Sequence, residues 1–196
     1  VVLSGLPDIN QTFIDFKSND TRTNYADVVR FVPAAKNITE PDLASLGNIH
    51  FRGSFTGFIH DFVTFGVINT NLGTVKSDLN MKLPQGREPI YSGNIATSNF
   101  QLGKFIHSSD IGLISFSGVV RGHGFSVNTL SADLKATIRE LEFNGYRYHN
   151  IVTNGKLEKQ LFNGFFSISD SNLQATLNGL VNINGPRSQF DFVADV

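Results

Sequence analysis

Residues 73–86 read GTVKSDLNMKLPQG, and the apolar side chains among them keep to one parity. Val75, Leu79, Met81 and Leu83 take odd numbers with Ser77 between them, while Thr74, Lys76, Asp78, Asn80 and Lys82 take even ones. A period of two is the period of an extended chain, so this stretch predicts a strand with one greasy face and one wet face. The same comb recurs. Leu130, Ala132, Leu134, Ala136 and Ile138 stand against Ser131, Asp133, Lys135, Thr137 and Arg139. Leu173, Ala175, Leu177, Gly179, Val181 and Ile183 stand against Gln174, Thr176 and Asn178, and Phe190, Phe192, Ala194 and Val196 alternate to the last residue. Shorter runs fall near 48–56, 60–69, 90–97, 112–121, 144–157 and 161–169, and Asn, Gly, Asp and Pro separate many of them. The expected fold class is all-β.

Helices are scarce. Residues 24–32 form one candidate, with Asn24 as its cap, Asp27 in its first turn and Pro33 at its end. A second turn opens at Thr39-Glu40-Pro41-Asp42 and finishes by Gly47. The chain therefore reads as one segment, less regular over 1–47 and continuously stranded over 48–196. Neither helix is long enough to cover a sheet. An antiparallel or mixed sheet with one apolar face must then meet a second sheet, close into a barrel, or curl over like a taco around an apolar groove. Ten to twelve strands at about 4.8 Å would make such a trough about 50–60 Å long.

A second regularity lies on the first. Apolar-x-Gly-x-apolar occurs at Phe51-Gly53-Phe55, Tyr91-Gly93-Ile95, Phe116-Gly118-Val120, Phe162-Gly164-Phe166 and Leu177-Gly179-Val181, each Gly on the apolar parity. Glycine weakens a strand and marks a bend or a close approach, so these positions predict curvature toward the apolar side. Their spacing is too uneven for a regular solenoid or propeller.

Composition removes several functions. The 16 basic and 17 acidic residues are spread evenly and leave a net charge of −1, with no basic stripe for nucleic acid. The absence of Cys excludes disulfides and thiolate metal sites. No apolar run approaches the ~18–20 residues of a membrane helix. His50, His60, His107, His123 and His149 lack the spacing of zinc ligands, so no metal site is expected. Gly122-His-Gly124 lacks the third glycine of a dinucleotide loop, and there is no G-x-S-x-G. Glu140 and Glu142 share a strand face about 7 Å apart, with Arg139 and Arg147 near in sequence, and read as a charged rim rather than an acid–base pair. Tyr146 and Tyr148 share a parity and stand either at the mouth of a groove or packed on a neighbour. No catalytic residue and no cofactor are expected.

The pattern of strands and glycines resembles the TamB family. The resemblance is carried by Phe51-Arg-Gly53-Ser-Phe55-Thr-Gly57, Asp61-Phe62, Gly66, Gly73-Thr74-Val75, Asp78-Leu79, Tyr91-Ser-Gly93, Phe100-Gln-Leu102-Gly103 and Gly118-Val-Val-Arg-Gly122-His-Gly124. It continues through Asn144-Gly145-Tyr146-Arg-Tyr148-His-Asn150-Ile151, Gly155-Lys-Leu157, Phe162-Asn-Gly164 and Asp170-Ser-Asn172. It implies an internal segment of a long periplasmic protein of the AsmA-like class in the Gram-negative envelope, anchored in the inner membrane by a helix elsewhere. It implies a β-taco whose groove shelters phospholipid or another acyl-chain ligand between the membranes. It also implies a TamA-like outer-membrane partner that binds through parts outside this chain. Opening on Val1 and ending in mid-alternation fit a piece of a longer protein. The expected groove lining is Val75, Leu79, Met81, Leu83, Tyr91, Ile95, Leu130, Leu134, Ile138, Leu173, Leu177, Val181, Phe190 and Phe192. Sheltering a sixteen-carbon chain from water at about 0.8 kcal/mol per CH₂ is worth roughly 12 kcal/mol and needs no chemistry. Two rivals stay open: a scaffold for barrel proteins that works through edge strands, and an adhesion or carbohydrate-binding sandwich with a filled interior.

Overall fold

A computed structural model of the chain describes residues 1–31, 35–36, 38, 40–126, 128–159, 161–182 and 189–195, the side chains of 31, 181–182 and 189–195 excepted. The fold is a single antiparallel meander. Strands β1 (Val2–Ser4), β2 (Phe13–Asn24), β3 (Asn48–Phe58), β4 (Asp61–Thr70), β5 (Gly73–Lys82) and β6 (Ile90–Ser98) lie side by side in chain order. A two-residue strand β7 (Phe100–Gln101) leaves the path and pairs with β8 (Ile111–His123). From β8 the meander continues through β9 (Ser131–Phe143), β10 (Tyr146–Glu158), β11 (Leu161–Ser169), β12 (Gln174–Asn182) and β13 (Gln189–Asp195). Every pairing among the described residues is antiparallel, and the sheet does not close. Two-residue turns connect β3 to β4, β4 to β5 and β9 to β10, so these strands meet their neighbours with little loop entropy to overcome, whereas longer connections join β2 to β3 and β6 to β8.

Helix α1 (Tyr25–Phe31) starts where the sequence places it. The Asn24 carboxamide oxygen accepts the Asp27 N–H at 3.0 Å, and its Nδ2 donates to the Asp27 carboxylate at 2.8 Å, so two end groups are satisfied at once. The expected stop at Val32 and Pro33 lies outside the described residues. The second predicted turn is a 3-10 turn at Leu43–Leu46, capped by Asp42, whose carboxylate accepts from Ala44 and Ser45 at 3.0 and 3.2 Å. Two elements differ from the sequence reading. β2 is a twelve-residue strand within the stretch expected to be less regular, and α2 (Leu102–Phe105) interrupts the strands in mid-chain. Strand β2 has only Ile14 and Phe16 as apolar members of its inner parity before Ser18, and a register shift between Ser18 and Thr21 then breaks its period.

The five Gly motifs, unevenly spaced in sequence, become neighbours in the sheet. Gly53 pairs with Gly66, Gly66 with Ser77, Ser77 with Ile95, Ile95 with Gly118, Gly118 with Ala136 and Ala136 with Thr153. Two residues along the strands, Gly93 pairs with Val120 and Leu79, and Gly155 with Gly164, which pairs with Gly179. Small residues therefore form a band across the sheet, with larger apolar side chains on either side. At Gly53 and Gly66 the φ angles are +153° and +157°, which side-chain-bearing residues rarely adopt. A Cβ at Gly66 would stand 2.8 Å from the Gly53 Cα and collide with the Arg52 carbonyl. The two strands touch there, backbone to backbone.

One end of the apolar face is sealed by a buried cluster. Leu72, Phe100 and Ile114 form a buried cluster, and Leu46 of the 3-10 turn with Leu102 and Phe105 of α2 pack over it. The Phe100 and Phe105 rings meet edge to face at 5.4 Å. Register shifts in the β8–β9 pairing between Ile111 and Ile114 and between Ser115 and Phe116 let Ile138 and Leu141, three residues apart, both reach this cluster. The chain exposes 12051 Å², roughly 30% above the about 9,200 Å² of a compact monomer of its mass.

Candidate functional site

The lining predicted from alternation lands on one face. Val75, Leu79 and Met81 of β5, Tyr91 and Ile95 of β6, Leu134 and Ile138 of β9 and Leu177 of β12 all take the inner parity and are buried or half-buried. Leu83 and Leu130 lie just beyond the ends of β5 and β9, half-buried in loops, and Leu173 precedes β12 with 38% of its surface exposed. The side chains of Val181, Phe190 and Phe192 lie outside the described residues, although the register pairs Val181 with Phe190 and Gly179 with Phe192. The lining named from sequence omits half of this face. Phe51 and Phe55 of β3, Phe62 and Ile68 of β4, Phe116 of β8 and Ile151 of β10 belong to it as fully as the others. Flanking a Gly at two residues' distance was the signal for Phe51, Phe55 and Phe116.

Aromatic rings on this face lie against neighbours in the sheet. Phe55 stacks on Phe62 at 4.6 Å and Phe16 on Phe51 at 6.2 Å. Across the rest of the face most side chains are only partly covered.

Chemistry on this face is spent internally. Thr97 Oγ1 donates to the Ile114 carbonyl and Thr153 Oγ1 to the Phe165 carbonyl, both at 3.2 Å. Tyr91 donates its hydroxyl proton to the Gly124 carbonyl at 3.1 Å, and burial pushes that hydroxyl up to about 12. The Ser77 hydroxyl, in the band of small residues, has no partner among the described residues.

The carboxylates weighed as a pair are held by one cation. Arg147 Nη1 stands 2.7 Å from Glu140 and Nη2 3.8 Å from Glu142. Gly122 and His123 end β8, and Gly124 turns the chain at φ +77°. Among the described residues no cluster of His, Asp and Glu could hold a metal ion.

Tyr146 and Tyr148 pack on each other with ring centres 4.6 Å apart. The Tyr146 hydroxyl donates to Asp170 at 2.7 Å instead of facing water. Among the described residues Asp170 is the carboxylate that is buried, with its side chain 2% exposed. It accepts the backbone N–H of Asn172 at 3.0 Å and that of His149 at 2.9 Å, and His149 Nδ1 lies 3.0 Å away. These donors, the Asn172 amide foremost and the Tyr146 hydroxyl next, hold its carboxyl far below the ordinary range despite burial. A depressed value means that the contribution is complete above pH ~4 and lost as acid reaches the folded value. Asp170→Asn is therefore expected to lower the thermal midpoint at pH 7 and to remove part of the loss of stability seen below pH ~4, which melting curves across pH 2–7 would read.

No helix among the described residues is long and apolar enough to cross a membrane. No family model, curated protein or solved structure matches the chain.

Proposed function

We propose that the chain is a TamB-like segment that shelters acyl chains of phospholipid on the inner face of its curled sheet, in the periplasm, on the way between two membranes. The observation that carries this reading is a continuous apolar face from β3 to β12 that its own side chains cover only in part. A stable protein buries such a face or keeps it for a partner. Hydrocarbon suits it. The face has few polar groups, the sheet's N–H and C=O groups are used within the ladder, and a lipid tail asks for none of them.

The rival readings draw less support. A sandwich of this size would fill its interior, whereas the apolar side chains buried among the described residues number ten and only Leu72, Phe100 and Ile114 gather into a cluster. An edge-strand scaffold would work best from a long flat edge. Strand β1 covers only Phe13 to Asp15 of β2, but the exposed remainder carries Lys17, Asp20 and Arg22 and a register shift, which discourage pairing.

The test is purification without detergent, organic extraction and mass spectrometry. Phospholipid is expected in the extract at a fixed ratio to protein, with uptake of added phospholipid by stripped protein. A blank extract together with no uptake overturns the reading.

A further inference from the structure

The reverse of the sheet carries a feature that the alternation does not explain. A groove of about 820 Å³ runs across the strands from Arg52 of β3 to Val152 of β10. Of the lining residues predicted from sequence, only Ile95 borders it. Its apolar side chains belong to the wet parity: Phe65 is 62% exposed, Val119 51% and Val152 43%, with Val67 and Ala96 between them. Large apolar groups so exposed in one groove mark a surface that meets something.

Shape and charge narrow the occupant. The groove lies over the band of small residues, between two rows of side chains whose backbone positions are about 7 Å apart along the strands, a spacing that admits at most one hydrocarbon chain. From β4 to β10 it crosses five strand intervals, about 24 Å, against the ~15 Å that one leaflet's tail spans in a bilayer. A peptide laid across the strands would leave its own backbone groups without partners, whereas a hydrocarbon chain has none to satisfy. The bordering charges are Arg52, Lys76, Lys135 and Asp78, three cations to one anion. Register sets Arg52 and Lys76 on either side of Val67, two strand intervals apart at one end. Arg52 Nε donates to the Asn19 carbonyl of β2 at 3.1 Å, and among the described residues neither Arg52 nor Lys76 has a carboxylate within 4.0 Å.

We propose that this groove binds a single-chain anionic amphiphile, a long-chain fatty acid, with its carboxylate between Arg52 and Lys76 and its tail over Ala96, Val119 and Val152. The site is on the opposite face from the proposed phospholipid lining and does not depend on it. Asp78 stands in the second row, beside Phe65 and about 7 Å along β5 from Lys76, so Arg52 and Lys76 outnumber it at the carboxylate end.

Palmitate, hexadecanol and a diacyl phosphatidylglycerol serve as probes on the full chain. Palmitate is expected to bind more tightly than hexadecanol, and Lys76→Glu is expected to weaken palmitate about tenfold while leaving hexadecanol unchanged. Val119→Asp, at an exposed position that the fold tolerates, is expected to weaken both probes by about tenfold or more. A diazirine-bearing palmitate should label the strands beside Val119 and Val152. Equal affinity of Lys76→Glu and wild type for palmitate, or labelling confined to the Leu79–Leu134 face, overturns the proposal. Phosphatidylglycerol that displaces palmitate from the Val119 side would replace the fatty acid by a two-tailed ligand and overturn it as well.

Discussion

Gly66→Val is expected to destabilise the fold by roughly 2–6 kcal/mol. At φ +157° a β-branched residue carries backbone strain of about 1–3 kcal/mol, and the side chain would meet the Arg52 carbonyl and the Gly53 Cα with nowhere to move. Overpacking adds about 1–3 kcal/mol more. A total of roughly 2–6 kcal/mol is a large share of the ~5–15 kcal/mol that holds a domain together. Gly86→Ala supplies the control. That residue also has positive φ, +65°, but nothing lies within 4 Å of the added Cβ. Its cost should stay near about 1–2 kcal/mol, from backbone conformation alone. Urea titrations of both variants separate crowding at the band of small residues from the general penalty of replacing glycine.

The second large effect is expected at Ile151, whose side chain is 1% exposed and which the register sets between Ile138 and Ile168. Truncation to alanine there should cost about 2–5 kcal/mol. Phe65→Ala removes a larger side chain from the other face, and with 62% of Phe65 already in water it should change stability by less than about 0.5 kcal/mol. If the two substitutions cost the same, the assignment of an inner and an outer face is wrong.

Face and period were legible in the sequence wherever a strand alternates cleanly. Odd residues of β5 and even residues of the first part of β9 read directly, because each inner side chain is apolar or small and each outer one polar. Where tertiary geometry shifts the register, reading fails. The parity of β9 changes between Ile138 and Leu141, opposite Asn150 at φ +54°, so no single comb fits the whole strand. Gly66 was absent from the motif set because one of its inner-face flanks is Thr64. Strand β2 and helix α2 went unseen for a related reason: one is too polar to show its period, the other too short to have one.

The candidate site was legible as a face, not as a boundary. The glycines of the apolar-x-Gly-x-apolar motifs were read as bends and their phenylalanines as part of an apolar parity, and pairing shows that Phe116 shares the surface of Leu79 and Leu134. The groove on the reverse left a trace too, since Phe62, Val63, Phe65, Val67 and Ile68 place apolar residues on both parities of β4. Sequence cannot rank that against chance, because the neighbouring members, Val119 and Val152, arrive from strands far along the chain.

The absence of cysteine makes one direct measurement simple. A fluorophore attached at Leu79→Cys or Leu134→Cys, three strand intervals apart in one row of the inner face, is followed while phospholipid carrying a doxyl quencher midway down one tail is added. The same label at Asn80→Cys, on the wet parity of β5, reports non-specific encounter. Shelter of lipid tails by the inner face predicts saturable quenching at 79 and 134 with little at 80. Quenching that is equal at all three positions, or absent from the first two, contradicts it.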